Sequence, residues 1–136
     1  MKKTLVNTLR WIGTIILPLP IFCLTYFIAS IIVSAQNYFL PSGAPGFSIP
    51  GDCIIPGVAG YLAGTAAVAL PRVMAPCGGR IVGWTFAALI TTLEVINLTC
   101  LALDYKDFSV FEIGTIIVSN MTSTIGAICA TNYKLD

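Results

Sequence analysis

Histidine is absent from the 136 residues, and with it goes the commonest general base and metal ligand. Charge is scarce as well. Seven Lys and Arg and six Asp and Glu make up 10% of the chain, while 57% of it is hydrophobic; a soluble domain carries roughly one quarter charged residues, so a soluble reading is excluded. The net charge of +1 makes no electrostatic case for nucleic acid, and Lys2 and Lys3 are too few for a polybasic lipid-binding segment. The cysteines, Cys23, Cys53, Cys77, Cys100 and Cys129, include no CxxC pair, so neither a thiol redox centre nor a zinc site is spelled out. In or beside apolar segments a cysteine acts as a small hydrophobe. Cys53, next to Asp52, is the one placed for oxidation, with no well-placed partner. No cofactor or metal is implied, and the chain reads as non-enzymatic, with a membrane thiol oxidoreductase using Cys53 the lowest alternative.

What is present is four long apolar runs, residues 11–35, 53–70, 81–103 and 113–133, with the charges collected between them. Each is near the roughly 20 residues that a helix needs to cross about 30 Å of hydrocarbon. The expected fold is all-α and integral to a membrane: one four-transmembrane-helix bundle over residues 1–136, with no room for a separate extramembrane domain. Residues 33–35 (Val-Ser-Ala) end the first run like a small-residue cleavage site, but the run is longer than a signal peptide's apolar core and is expected to be retained. Pro18 and Pro20 lie inside it, so either the helix kinks there or the preceding residues form an interfacial turn and the span starts at Pro18.

Basic residues predict the orientation. If each run crosses once, Lys2, Lys3, Arg10, Arg72, Arg80 and Lys134 share one face, and Lys106 stands alone on the other with Asp52, Asp104, Asp107 and Glu112. Lys and Arg near span ends stay cytoplasmic, which places both termini inside. The bias and the Lys-Lys start read as a bacterial inner-membrane protein, with the lipid bilayer and other membrane subunits or copies of itself as partners.

Residues 36–52 form an exterior loop with no charge before Asp52, in which three prolines and three glycines are expected to forbid regular helix or strand. Its Tyr38, Phe39 and Phe47 suit either an interfacial hairpin or a partner-docking or pore-mouth loop. The second run is rich in small residues: Gly60 and Gly64 make a GxxxG pair preceded by Gly57, a face that lets backbones approach closely, within one chain or between chains.

Glu94 alone interrupts the apolar runs. An ionisable group within a span is a functional hypothesis by default. Thr91 and Asn97 lie three residues to either side of it, and the fourth run supplies Ser119, Asn120 and Ser123 for a facing helix. The cluster has two readings. One is a neutral hydrogen-bonding clasp that orders the bundle or holds a partner helix; the other is a proton or cation site in a translocation path, multiplied around an axis in an oligomer. The clasp is favoured, because no basic residue and no second acid shares that depth. The functional expectation is a small polytopic membrane protein acting through helix association, with an oligomeric channel or transporter using Glu94 as the alternative. Asn97-Leu98-Thr99 and Asn120-Met121-Thr122 match glycosylation sequons but fall inside spans, and are read as chance.

Overall fold

The computed structural model describes residues 2–39, 48–104, 106 and 108–133; within these, the side chains at 2, 29, 30, 33, 34, 36–39, 48–53 and 111 lie outside the description. Among the described residues there is no strand. The helices are α1 (Lys2–Ile16), α2 (Pro18–Phe39), α3 (Ser48–Met74), α4 (Gly79–Leu103) and α5 (Val110–Asn132). Three segments, Ile54–Met74, Gly79–Leu103 and Glu112–Asn132, are long and apolar enough to cross a membrane, and α1 with α2 makes a fourth if that bent pair is one span.

The first apolar run is thus two helices. Proline has no N–H to give and its ring crowds the carbonyl four residues back. Pro18 and Pro20 strip the Thr14 and Ile16 carbonyls of their donors, and the chain bends by 43° at Leu17. The residues before Pro18 are helical rather than a turn, and a bend separates them from α2.

The expectation that residues 36–52 hold no regular helix is corrected. α2 runs on to Phe39 and α3 begins at Ser48, leaving residues 40–47 outside the described residues. Pro50 lies in the first turn of α3, where a backbone N–H has no intrahelical partner to lose, so it starts a helix as readily as it ends one. Pro56 and Pro71 lie deeper in α3, which continues through both. Phe47 lies outside the described residues; Tyr38, Phe39 and Asp52 are helical, their side chains undescribed.

α3 is the hub. It packs on all four other helices, most extensively on α5. The core it shares is made of small side chains, Ala67, Val68, Ala87, Ala127 and Ala130 with Ile90, flanked by Phe22 and Phe86. Large apolar side chains such as Leu24, Phe27, Leu62, Leu93 and Ile125 are turned outward. That inversion suits a chain in lipid: burying leucine gains nothing from an apolar solvent, whereas close backbone contact gains dispersion energy.

Two arginines close one end of the molecule. The last carbonyls of a helix have no intrahelical donors. Arg10 supplies them to α3, its Nε donating to the Met74 carbonyl at 2.9 Å and its Nη2 to Val73 at 3.4 Å. Arg72 supplies them to α5, its Nη1 donating to the Ala130 carbonyl at 2.6 Å. Between α3 and α4, Gly78 takes φ 66°, a left-handed conformation that glycine adopts without steric cost. At the other end α5 starts with a capping box: Glu112 accepts from the Ser109 N–H at 2.8 Å and from its hydroxyl at 2.7 Å, and the Glu112 N–H donates back at 3.2 Å. Glu112 is therefore spent on helix initiation.

Candidate functional site

The small-residue face of α3 lies directly on α5. A β-carbon on Gly57 would lie 3.2 Å from Val118 Cγ1; on Gly60 it would strike the Ser119 carbonyl and lie 2.7 Å from Thr122 Oγ1; on Gly64 it would overlap the Ser123 backbone. Gly126 answers from α5, running against the Tyr61 carbonyl. The Thr122 hydroxyl is turned back on its own helix, donating to Val118 at 2.8 Å and Ser119 at 3.0 Å, so it is not stranded in the seam. Gly57, Gly60 and Gly64 are thus covered within the chain and are not open to a second copy.

The polar groups meet one layer away, where α2, α4 and α5 converge. Glu94 is 6% exposed. Its carboxyl lies beside the Ser123 hydroxyl and within electrostatic reach of the Tyr26 hydroxyl. Tyr26 exchanges a hydrogen bond with Ser119 Oγ at 3.0 Å, which ties α2 to α5. Asn97 Nδ2 donates to Asn120 Oδ1 at 3.3 Å, which ties α4 to α5. Glu94, Asn97, Ser119, Asn120 and Ser123 are therefore brought together. Thr91 is not part of the network, because its hydroxyl donates to the Ala87 carbonyl of its own helix at 2.9 Å.

Tyr26 was not singled out by the sequence. A lone tyrosine in an apolar helix ordinarily reads as an interfacial anchor; the usable signal was Phe22 one turn earlier, whose ring stacks at 5.0 Å and sets an inward face.

Two atoms of the cluster remain over. Asn120 Nδ2, on a residue 5% exposed, has no hydrogen-bond partner among the described residues, and Ser123 Oγ, on a residue 0% exposed, has the Glu94 carboxyl beside it but no well-aligned hydrogen bond there. Buried polar atoms are ordinarily paired with protein or an ordered water, so these two mark where the site departs from plain packing. Among the described residues no group of three His, Cys, Asp or Glu converges as metal ligands would, and Cys23, Cys77, Cys100 and Cys129 are free thiols at the surface. The side chain of Cys53 lies outside the description.

No protein-family model, curated protein or solved structure matches this chain. The reading of function therefore stands on the chain's own geometry.

Proposed function

We propose that the protein is a four-span inner-membrane component, with both termini cytoplasmic, that acts without catalysis by associating with other membrane helices. The observation that carries this reading is the outer side of α4. It is the least covered of the three apolar helices, and it presents Thr85, Ala88, Thr92, Val95, Thr99 and Ala102, all exposed, at alternating spacings of three and four. Thr85, Thr92 and Thr99 each return the hydroxyl to a carbonyl of α4 itself, at 3.0, 2.8 and 2.7 Å. The stripe is thereby small and electrically quiet, a profile that admits a second helix at short range. The glycine seam is already occupied by α5, which leaves this side as the one suited to a partner. The positions of Arg10 and Arg72 at a shared end, opposite the Ser109 cap and Lys106, support the proposed orientation. In this reading Glu94 is an internal clasp. Native mass spectrometry after gentle extraction tests it: a partner chain or a second copy is expected, released when Ala88 or Thr92 is replaced by Trp, and a bare monomer from membranes overturns the proposal.

A second reading is favoured by the buried Ser123 hydroxyl beside Glu94 and the buried Asn120 Nδ2 on the same helix, which has no acceptor among the described residues. An amide N–H can only donate, so Asn120 would hold a water, and the carboxyl with the Ser123 oxygen would take the proton or cation in a conducting oligomer. Proton or cation flux in proteoliposomes that is lost in Glu94→Gln supports this second reading; the same absence of flux in both proteins removes it.

A further inference from the structure

We propose that α1 is an oblique interfacial helix whose outer face is seated in the headgroup and upper acyl layer of the bilayer, on the side of Arg72 and Arg80. The inference rests on the membrane reading above and extends it to a surface that the described residues leave uncovered.

Length makes the first argument. α2, with 22 residues, is about 33 Å long and by itself matches about 30 Å of hydrocarbon, so the 15 residues of α1, about 22 Å, are surplus to crossing. The break at Leu17 then turns α1 away by 43°, which carries it outward at a slant.

The pattern makes the second. Leu5, Leu9, Ile12 and Ile16 recur every three or four residues and are 65, 59, 48 and 59% exposed. Lys3, Asn7, Arg10 and Thr14 repeat the same spacing on the opposite side. A helix with one apolar and one basic, polar face is the form that lies at a membrane surface.

Rotation about the helix axis is fixed, and this decides which way the apolar side looks. Arg10 is bonded to the Met74 and Val73 carbonyls, Thr14 is buried with its hydroxyl on the Arg10 carbonyl at 2.7 Å, and Gly13 lies against the Met74 side chain. The polar side thus covers the end of α3, and the leucine side is turned out from the bundle. Its exposed surface continues into that of α2 at Leu19 and Leu24, so the layer that wets α2 reaches it without a gap.

The test uses the full chain reconstituted in vesicles of phosphatidylethanolamine and phosphatidylglycerol. Leu9→Trp and Asn7→Trp are each made in a Trp11→Phe, Trp84→Phe background, and Trp11→Phe alone keeps Trp84, which is exposed on α4, as a bilayer reference. Vesicles contain lipid brominated either near the headgroup or near the bilayer centre. We expect Leu9→Trp to lose most of its emission to the shallow bromines and less to the deep ones, and Asn7→Trp to keep its emission in both. Stronger quenching of Leu9→Trp by deep bromines overturns the proposal in favour of α1 as part of a span. No quenching at Leu9→Trp while Trp84 is quenched overturns it in favour of a protein partner or water over the stripe. No quenching of Trp84 removes the membrane reading itself.

Discussion

The backbone of Gly64 runs against the Ser123 carbonyl so closely that no side chain fits between them. The contact brings α3 and α5 together in mid-span and makes this the seam most sensitive to added volume. Gly64→Ala is therefore expected to destabilise by about 1–3 kcal/mol, because a rigid backbone cannot yield as a flexible side chain can. Gly114, on α5 with nothing within 4 Å of its absent β-carbon, is the control: Gly114→Ala should gain up to about 1 kcal/mol from helix propensity. Thermal unfolding of both variants in detergent micelles checks the pair, and equal effects would contradict the seam.

Arg72 reaches the Ala130 carbonyl at 2.6 Å, with Gly83 leaving room beside its chain. A hydrogen bond from a charged group contributes about 1.5–3 kcal/mol. Arg72→Met keeps the aliphatic stem and loses that donor. A drop of this size is expected in the same unfolding assay, with accelerated hydrogen exchange confined to the last turn of α5.

Tyr26→Phe removes the hydroxyl bonded to Ser119 Oγ at 3.0 Å and nothing else. A loss of about 0.5–1.5 kcal/mol is expected. A double-mutant cycle with Ser119→Ala should return most of it as coupling between the two positions; additive losses would place the hydroxyl elsewhere.

Ser123→Ala tests the clasp. The Glu94 carboxyl lies beside the buried Ser123 hydroxyl, so under the clasp reading its removal is expected to cost about 0.5–1.5 kcal/mol. No loss in the same unfolding assay would show that the hydroxyl does not hold the carboxyl. Glu94→Gln, made alongside, should stay within about 1 kcal/mol of the parent if Glu94 only clasps.

Much of this arrangement is legible in the chain because lipid leaves few choices. The run at 81–103 appears as Gly79–Leu103 and the run at 113–133 as Val110–Asn132, since uninterrupted apolar sequence between charges has only a helix to satisfy its backbone. The first run hid its division for the same reason. Apolar residues dominate on both sides of Pro18, and hydropathy averages over the three-and-four spacing that sets α1 apart. Helix at both margins of residues 40–47 is hidden in the sequence because proline breaks or starts a helix according to its place in a turn, and at Pro50 that place is the first turn. In the cluster, Glu94 and the residues of α5 were conspicuous as polar groups among apolar ones. Tyr26 was not, because its part is set by the bundle bringing its hydroxyl to Ser119 of α5, a tertiary fact no local pattern encodes. Ser109 and Glu112 carry a local signature of helix initiation, a Ser and a Glu three residues apart before an apolar run.

The α3 and α5 seam has a consequence for how the protein is made. Its two halves flank α4 in the sequence, so α3 is synthesised with its partner still to come. Until α5 emerges, the groove of Gly57, Gly60 and Gly64 lacks the helix that fills it, and the whole of α4 is made before the hub can close. The final helix is then the closing piece of biogenesis: a chain truncated before Val110 keeps most of its apolar length and loses the most extensive of the hub's four contacts.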